Sequence, residues 1–120
     1  MCRAFSWVVD KGYAHYWATS NHSAEPITEI MNICDRLGLN KPIADQCSHN
    51  AIQRNIVDKD LVPVFDKYGY GTTTHSSLAA GLLTGKYNDG NFPPGSRFDA
   101  DPLTKASAFM YYGPDKDRMT

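Results

Sequence analysis

Gly71-Thr72-Thr73-Thr74-His75-Ser76-Ser77-Leu78-Ala79-Ala80-Gly81-Leu82-Leu83-Thr84-Gly85-Lys86-Tyr87 runs from a short strand pattern into a Ser/Ala/Gly turn and then a lysine. The strand is expected over Tyr70 to Thr74, where β-branched threonines suit a pleated surface. Just upstream, Leu61, Val64, Phe65 and Tyr68 repeat at helical spacing, with Asp58 and Asp60 before them and Gly69 after them. Acids favour a helix N-terminus and glycine a helix stop. The stretch therefore reads as helix, strand and loop.

The same alternation extends toward the N-terminus. Phe5, Val8 and Val9 fall at i, i+3 and i+4, widened by Ala4 and Trp7, so Cys2 to Lys11 is expected to be a helix stopped by Gly12. The aromatic-rich run Tyr13 to Thr19 reads as a strand, bounded by Gly12 and by Ser20-Asn21-His22-Ser23. Ser23 is expected to cap a helix over Ala24 to Leu37, whose Ile27, Ile30, Met31, Cys34 and Leu37 form one apolar face. Pro26 lies in its first turn, where no internal hydrogen bond is lost, and Gly38 ends it. Pro42 to Cys47 is a further short strand. The order is α-β-α-β-α-β with a strand roughly every 30 residues, which implies parallel strands joined by crossover helices. Periodicity by itself does not separate a barrel segment from a doubly wound sheet. Beyond Tyr87, turn signals accumulate at Asn88-Asp89-Gly90, Pro93-Pro94-Gly95, Asp101-Pro102 and Gly113-Pro114, with one or two helical turns expected over Leu103 to Met110.

The chain has 120 residues, whereas a closed eight-stranded α/β barrel takes about 250. Hydrophobic residues make up 42% and charged residues 21%, an ordinary globular balance. The net charge of -1 comes from 12 basic and 13 acidic residues interspersed along the chain. No footprint for nucleic acid or an anionic membrane appears. No secretion signal is read at the N-terminus, and no apolar run approaches the ~20 residues of a membrane span, so a cytoplasmic location is expected. Cys2, Cys34 and Cys47 are widely spaced and fit reduced thiols. No metal-ligand spacing joins the cysteines to His15, His22, His49 or His75. Gly81 to Tyr87 is one residue short of a Walker A loop and carries Tyr87 where Ser or Thr would bind magnesium.

Ligands in parallel α/β folds bind at the carboxyl ends of the strands. Here those ends are Thr19-Ser20-Asn21, Asp45-Gln46 and His75-Ser76. Small hydrogen-bonding groups from three strands are expected to line one rim; the plainer reading is that they cap helices and satisfy backbone.

Together, Tyr16-Trp17-Ala18-Thr19-Ser20, Pro42-Ile43-Ala44-Asp45-Gln46 and the Gly71 to Tyr87 stretch resemble the aldo-keto reductase family, in the branch that includes voltage-gated potassium channel beta subunits. The resemblance covers residues 2 to 98. It implies part of a (β/α)8 TIM barrel, from about the fourth helix to the seventh strand, with three parallel strands. Residues 1–98 are then expected to form an NADP(H)-binding barrel segment and 99–120 a turn-rich tail. Position by position, Ser20, Asn21 and Gln46 match residues holding the carboxamide end of NADP(H). His75 takes the place of an aromatic residue that stacks on nicotinamide. Ser76, Leu78 and Ala79 match the loop that wraps the pyrophosphate, and Lys86, Ser96 and Arg97 match groups near the cofactor phosphates.

The sequence departs from the family at named places. The usual Trp-Ser-Pro is His75-Ser76-Ser77, Gly-Thr-Ser is Ala18-Thr19-Ser20, Glu-Gln is Asp45-Gln46, and Tyr-Asn is His49-Asn50. A smaller ring at 75 stacks less area. The family's hydride-transfer Asp, Tyr, Lys and His or Asn lie on earlier strands, and none finds a match here. The resemblance thus implies a truncated oxidoreductase-like polypeptide, inactive by itself, whose parent reaction passes hydride between NADPH and an aldehyde or ketone. The alternative is a non-catalytic module resembling a channel beta subunit. Three parallel strands cannot close a barrel, so a protein partner or self-association is expected to cover their edges.

Overall fold

The computed structural model describes residues 1–104. Of the helical turns expected over Leu103 to Met110, Leu103 and Thr104 are described and helical; the rest, and most of the tail over 99–120, lie outside the described residues. Two compact units form among the described residues: 1–49 with 53–75, and 50–52 with 76–104.

The first unit follows the order α1 (Cys2–Asp10), β1 (Thr19–Ser20), α2 (Ala24–Leu37), β2 (Ala44–Ser48), α3 (Val62–Tyr68) and β3 (Gly71–His75). The three strands form one parallel sheet in the order β1-β2-β3. Thr19 pairs with Asp45 and Ser20 with Gln46, while β2 pairs with β3 from Ala44–Gly71 to Ser48–His75. Helix α2 has the bounds its apolar period predicts, and Gly38 closes it in the left-handed conformation at φ 60°. That geometry suits glycine because no Cβ opposes it.

The apolar face of α2 divides between two clusters. Ile27 and Met31 pack with Cys47, Leu61, Val64 and Tyr70. Ile30 and Cys34, one step around the helix, pack with Cys2 and Trp17. The helix is thus wedged between α1 and the β2-α3 layer, each buried aliphatic side chain contributing about 1.5–3 kcal/mol. Leu37, counted on that face by spacing, is 41% exposed. All three cysteines are free thiols. Burial and the neighbouring Cys2 push the Cys34 thiol up to about 11, so it stays protonated at neutral pH.

Two expectations are corrected. Tyr13 to Thr19 is not a strand: only Thr19–Ser20 is, and Tyr13 and Tyr16 stand 75% and 69% exposed. A strand needs a partner's backbone as well as aromatic propensity. Toward the amino end the partner offers one amide, Ile43 N–H donating to the Trp17 carbonyl at 3.1 Å, and Pro42 beside it carries none. Strand β2 is likewise displaced two residues from the expected Pro42 start.

Capping is also distributed differently. Ser23 occupies the N-cap of α2 without a side-chain capping bond; the Ala24 N–H instead donates to Asp60 Oδ2 at 3.0 Å. Asp60 closes a wide helical turn, Ile56–Asp60, in which Leu61 N–H reaches back to the Ile56 carbonyl. Asp58 accepts from Arg54 Nε at 2.6 Å and faces His49 Nε2 at 3.2 Å. Both acids expected to start α3 therefore serve other partners. Loss of a capping side chain typically costs ~1 kcal/mol. Urea unfolding of Asp60→Ala should show about that loss, and Ser23→Ala less than about half of it; the reverse ranking would return the cap to Ser23.

In the second unit, Ala79–Thr84 forms 3-10 turns kinked at Ala80 and Gly81, followed by α4 (Arg97–Ala100). Its core is Ala79, Leu82, Tyr87 and Phe98, with Phe92 packed against them. Asn50 joins this unit by donating from Nδ2 to the Ser76 carbonyl at 2.9 Å. Among the described residues, no helix is long and apolar enough to cross a membrane.

Candidate functional site

Parallel pairing aligns the three strands so that their carboxyl ends fall together. Ser20, Gln46 and Thr73 share one row of the sheet, and Ser48 and His75 pair two rows beyond it. Alternation along β2 points Gln46 to the exposed face, while Asp45 and Cys47 on either side of it are buried.

The turn after β1 is fixed from several directions. The Ser20 hydroxyl donates to the Gln46 carbonyl at 3.0 Å, and the Asn21 N–H donates to the same oxygen at 3.1 Å. Asn21 adopts φ 54°, a left-handed conformation in which asparagine is enriched among non-glycine residues. His75 Nε2 lies 3.1 Å from Asn21 Oδ1, linking the ends of the two outer strands across β2. The structure thus brings Ser20, Asn21, Gln46 and His75 to one end of the sheet in the first unit. Ser20, Asn21 and Gln46 are exposed there and His75 is half-buried, so hydroxyl, amide and ring groups offer hydrogen-bond donors and acceptors at one edge.

Beneath them lies Asp45, which the strand-end rule places on the rim beside Gln46. Asp45 is 0% exposed. The Thr19 hydroxyl donates to its Oδ1 at 2.5 Å and the His22 N–H donates to the same atom at 3.2 Å. Thr19 Oγ1 also lies 2.8 Å from the Tyr70 hydroxyl, which donates to the Ala44 carbonyl at 2.7 Å. Burial raises the Tyr70 pKa, and the Asp45 charge adds to that rise, against a lowering by Thr19. An acid at a position whose neighbours alternate into the core was the available signal.

Of the neighbouring pair, His49 is half-buried and Asn50 buried. His49 meets Asp58 and Asn50 bonds the Ser76 carbonyl.

The remaining six residues belong to the second unit. Ser76 and Leu78 are exposed, Leu78 by 58%, whereas Ala79 is 0% exposed and its methyl belongs to the core. Only the backbone of Ala79 can face a ligand. Ser76, Ala79 and Ala80 all have positive φ, at 55°, 48° and 56°. Non-glycine residues held there carry strain of about 1–3 kcal/mol each, a feature that clusters at ligand clamps. Lys86 is exposed, with its ammonium 5.0 Å from the Tyr87 ring centroid. Gly81 leaves the room for it, since a Cβ there would stand 2.7 Å from Lys86 Cε and 2.9 Å from Nζ. Burial raises the Tyr87 hydroxyl, but the Ser96 hydroxyl and the Lys86 ammonium beside it outweigh this and hold it below its ordinary value. The Tyr87 hydroxyl itself donates to the Ala80 carbonyl at 3.4 Å, and Ser96 stands at the N-cap of α4, where Arg97 begins the helix with its side chain exposed.

The sequence model of the aldo/keto reductase family matches residues 1–108. The chain is similar to a protein named probable voltage-gated potassium channel subunit beta from Oryza sativa subsp. japonica, at 48% identity over 96 residues. An Arabidopsis thaliana protein of the same name is also 48% identical over 96 residues. In both cases the match covers 80% of this chain and 29% of the relative. A Schizosaccharomyces pombe protein named putative voltage-gated potassium channel subunit beta is 46% identical over 95 residues, 79% of this chain and 27% of its own length. The chain thus spans less than a third of the curated relatives it matches.

Proposed function

This chain belongs to the aldo/keto reductase family, and from that premise we propose that residues 1–98 are an NADP(H)-binding segment of that family's (β/α)8 barrel, acting in the cytoplasm. The reading is carried by the convergence of Ser20, Asn21, Gln46 and His75 at the carboxyl ends of three parallel strands, the end at which such folds bind ligands.

The residues suit the cofactor chemically. Ser20, Asn21 and Gln46 supply the donors and acceptors that a nicotinamide carboxamide requires, and His75 supplies a ring face. Ser76, Leu78 and the backbone of Ala79 form the loop over the pyrophosphate, while Lys86, Ser96 and Arg97 supply cations and a hydroxyl for phosphate. When bound, NADPH supplies hydride for reduction of an aldehyde or ketone, the parent reaction of the family. No residue of this sequence takes the family's acid, lysine or carbonyl-orienting roles. We therefore assign the chain by itself cofactor binding without turnover.

A second reading, a non-catalytic regulatory module that joins a protein partner, is favoured by the names of its relatives. The outer edges of β1 and β3 are the surfaces a partner or a second copy would cover.

Thermal unfolding with and without millimolar NADPH tests the cofactor reading. A ligand held only by the folded state adds about 2.7 kcal/mol at one hundred times its dissociation constant. A cooperative transition that rises with NADPH is the expected result; a transition unmoved by NADPH would leave only the partner-binding reading.

A further inference from the structure

We propose that Asp45 is a positioning residue for the nicotinamide end of the cofactor site, acting from behind the sheet on the turn that carries Ser20 and Asn21. The inference rests on the cofactor reading above and deepens it.

Asp45 lies on the face of β2 opposite Gln46 and is fully buried, so it touches no ligand on the exposed face. Its Oδ2 has no hydrogen-bond partner, and its hydrogen bonds run through Oδ1. The two donors to that atom are the Thr19 hydroxyl and the His22 N–H. These residues bracket Ser20-Asn21, one on each side. One buried oxygen thus pins both ends of a two-residue segment whose second member is held at φ 54°. Tyr70 braces the clamp from the β3 side, 2.8 Å from Thr19 Oγ1. A buried carboxylate oxygen left unpaired is costly, and the fold retains one here while the other oxygen of the same group is fully used. With the clamp gone, the strained turn is free to relax, and Asn21 loses the geometry that places its Oδ1 3.1 Å from His75 Nε2.

The test compares two ligands on three proteins. NADPH reports on both ends of the site, whereas adenosine 2′,5′-bisphosphate lacks nicotinamide and reports on the phosphate end alone. Asp45→Ala should weaken NADPH about tenfold or more and leave adenosine 2′,5′-bisphosphate within about twofold. Asp45→Asn keeps an Oδ1 acceptor for both donors and should restore NADPH to within roughly threefold of the unsubstituted chain. Should Asp45→Ala not fold, Thr19→Val removes one bracket at nearly constant volume, and the same split between ligands is expected. Equal weakening of both ligands, or of neither, would overturn the positioning role alone. Failure of the unsubstituted chain to bind either ligand would overturn the cofactor reading, and this inference with it.

Discussion

Lys86→Ala and Arg97→Ala should each weaken NADPH binding by roughly 10- to 100-fold and leave NADH nearly unchanged, which equilibrium titration of the two cofactors would measure. The reason is selective electrostatics. A charge-assisted hydrogen bond contributes about 1.5–3 kcal/mol, a factor of roughly 10–100 in affinity, and only NADPH carries the 2′-phosphate. Both side chains are exposed, so the preference should shrink as salt screens it, the Debye length falling from about 10 Å at 0.1 M to 3 Å at 1 M. Lys86 is the more constrained of the two, because its chain lies in the space left by Gly81 and its ammonium over Tyr87. Equal losses for the two cofactors would remove both residues from the 2′-phosphate.

Phe98→Ala should destabilise the second unit by about 3–5 kcal/mol, the usual cost of emptying an aromatic core position. Phe98 is 0% exposed, its ring centroid 4.8 Å from that of Tyr87 and 5.3 Å from that of Phe92. Few other large side chains share this core, so little can move in to fill the gap. Hydrogen exchange resolved by segment would read the result: amides over 76–104 should lose protection while those of α2 and β2 keep theirs. A loss below about 1 kcal/mol would mean that the three-ring cluster is not what holds this unit together.

The elements that the sequence made legible are those whose cause is local. Helix α2 was readable to its end residues because its apolar period, Pro26 and Gly38 all act within one turn of it. The glycine stops at 38 and 69 were readable for the same reason, both being left-handed C-caps at φ 60° and 61°. Causes that lie far along the chain were not readable. The run Tyr13 to Ala18 has strand composition but finds almost no partner backbone, and that partner is some 25 residues away. The cap of α2 comes from Asp60 across 36 residues, so Ser23, adjacent and chemically suitable, was the local choice. In the candidate site, the strand-end rule selected Thr19-Ser20-Asn21, Asp45-Gln46 and His75-Ser76 alike, but not which of them turn inward, as Thr19 and Asp45 do. The Thr19-Asp45-Tyr70 network beneath the rim joins three strands' neighbourhoods through side chains and has no spacing signature. In the second unit, the burial of Ala79 could not be foreseen from a loop pattern; its left-handed backbone turns the methyl into the core.

The Asp60 cap also sets an order of events during synthesis. The ribosome releases Ala24 to Leu37 well before Asp60, the group that satisfies the first turn of α2. At ~5–20 residues per second, the helix, once Leu37 is made, waits roughly 1–5 s for its cap. Throughout that interval the apolar stripe of α2 has neither its terminal bond nor the Leu61, Val64 and Tyr70 surface against which it closes. The growing polypeptide thus exposes that stripe to chaperones and to wrong associations in a window that closes as Asp60 and then Tyr70 emerge, before β3 is made.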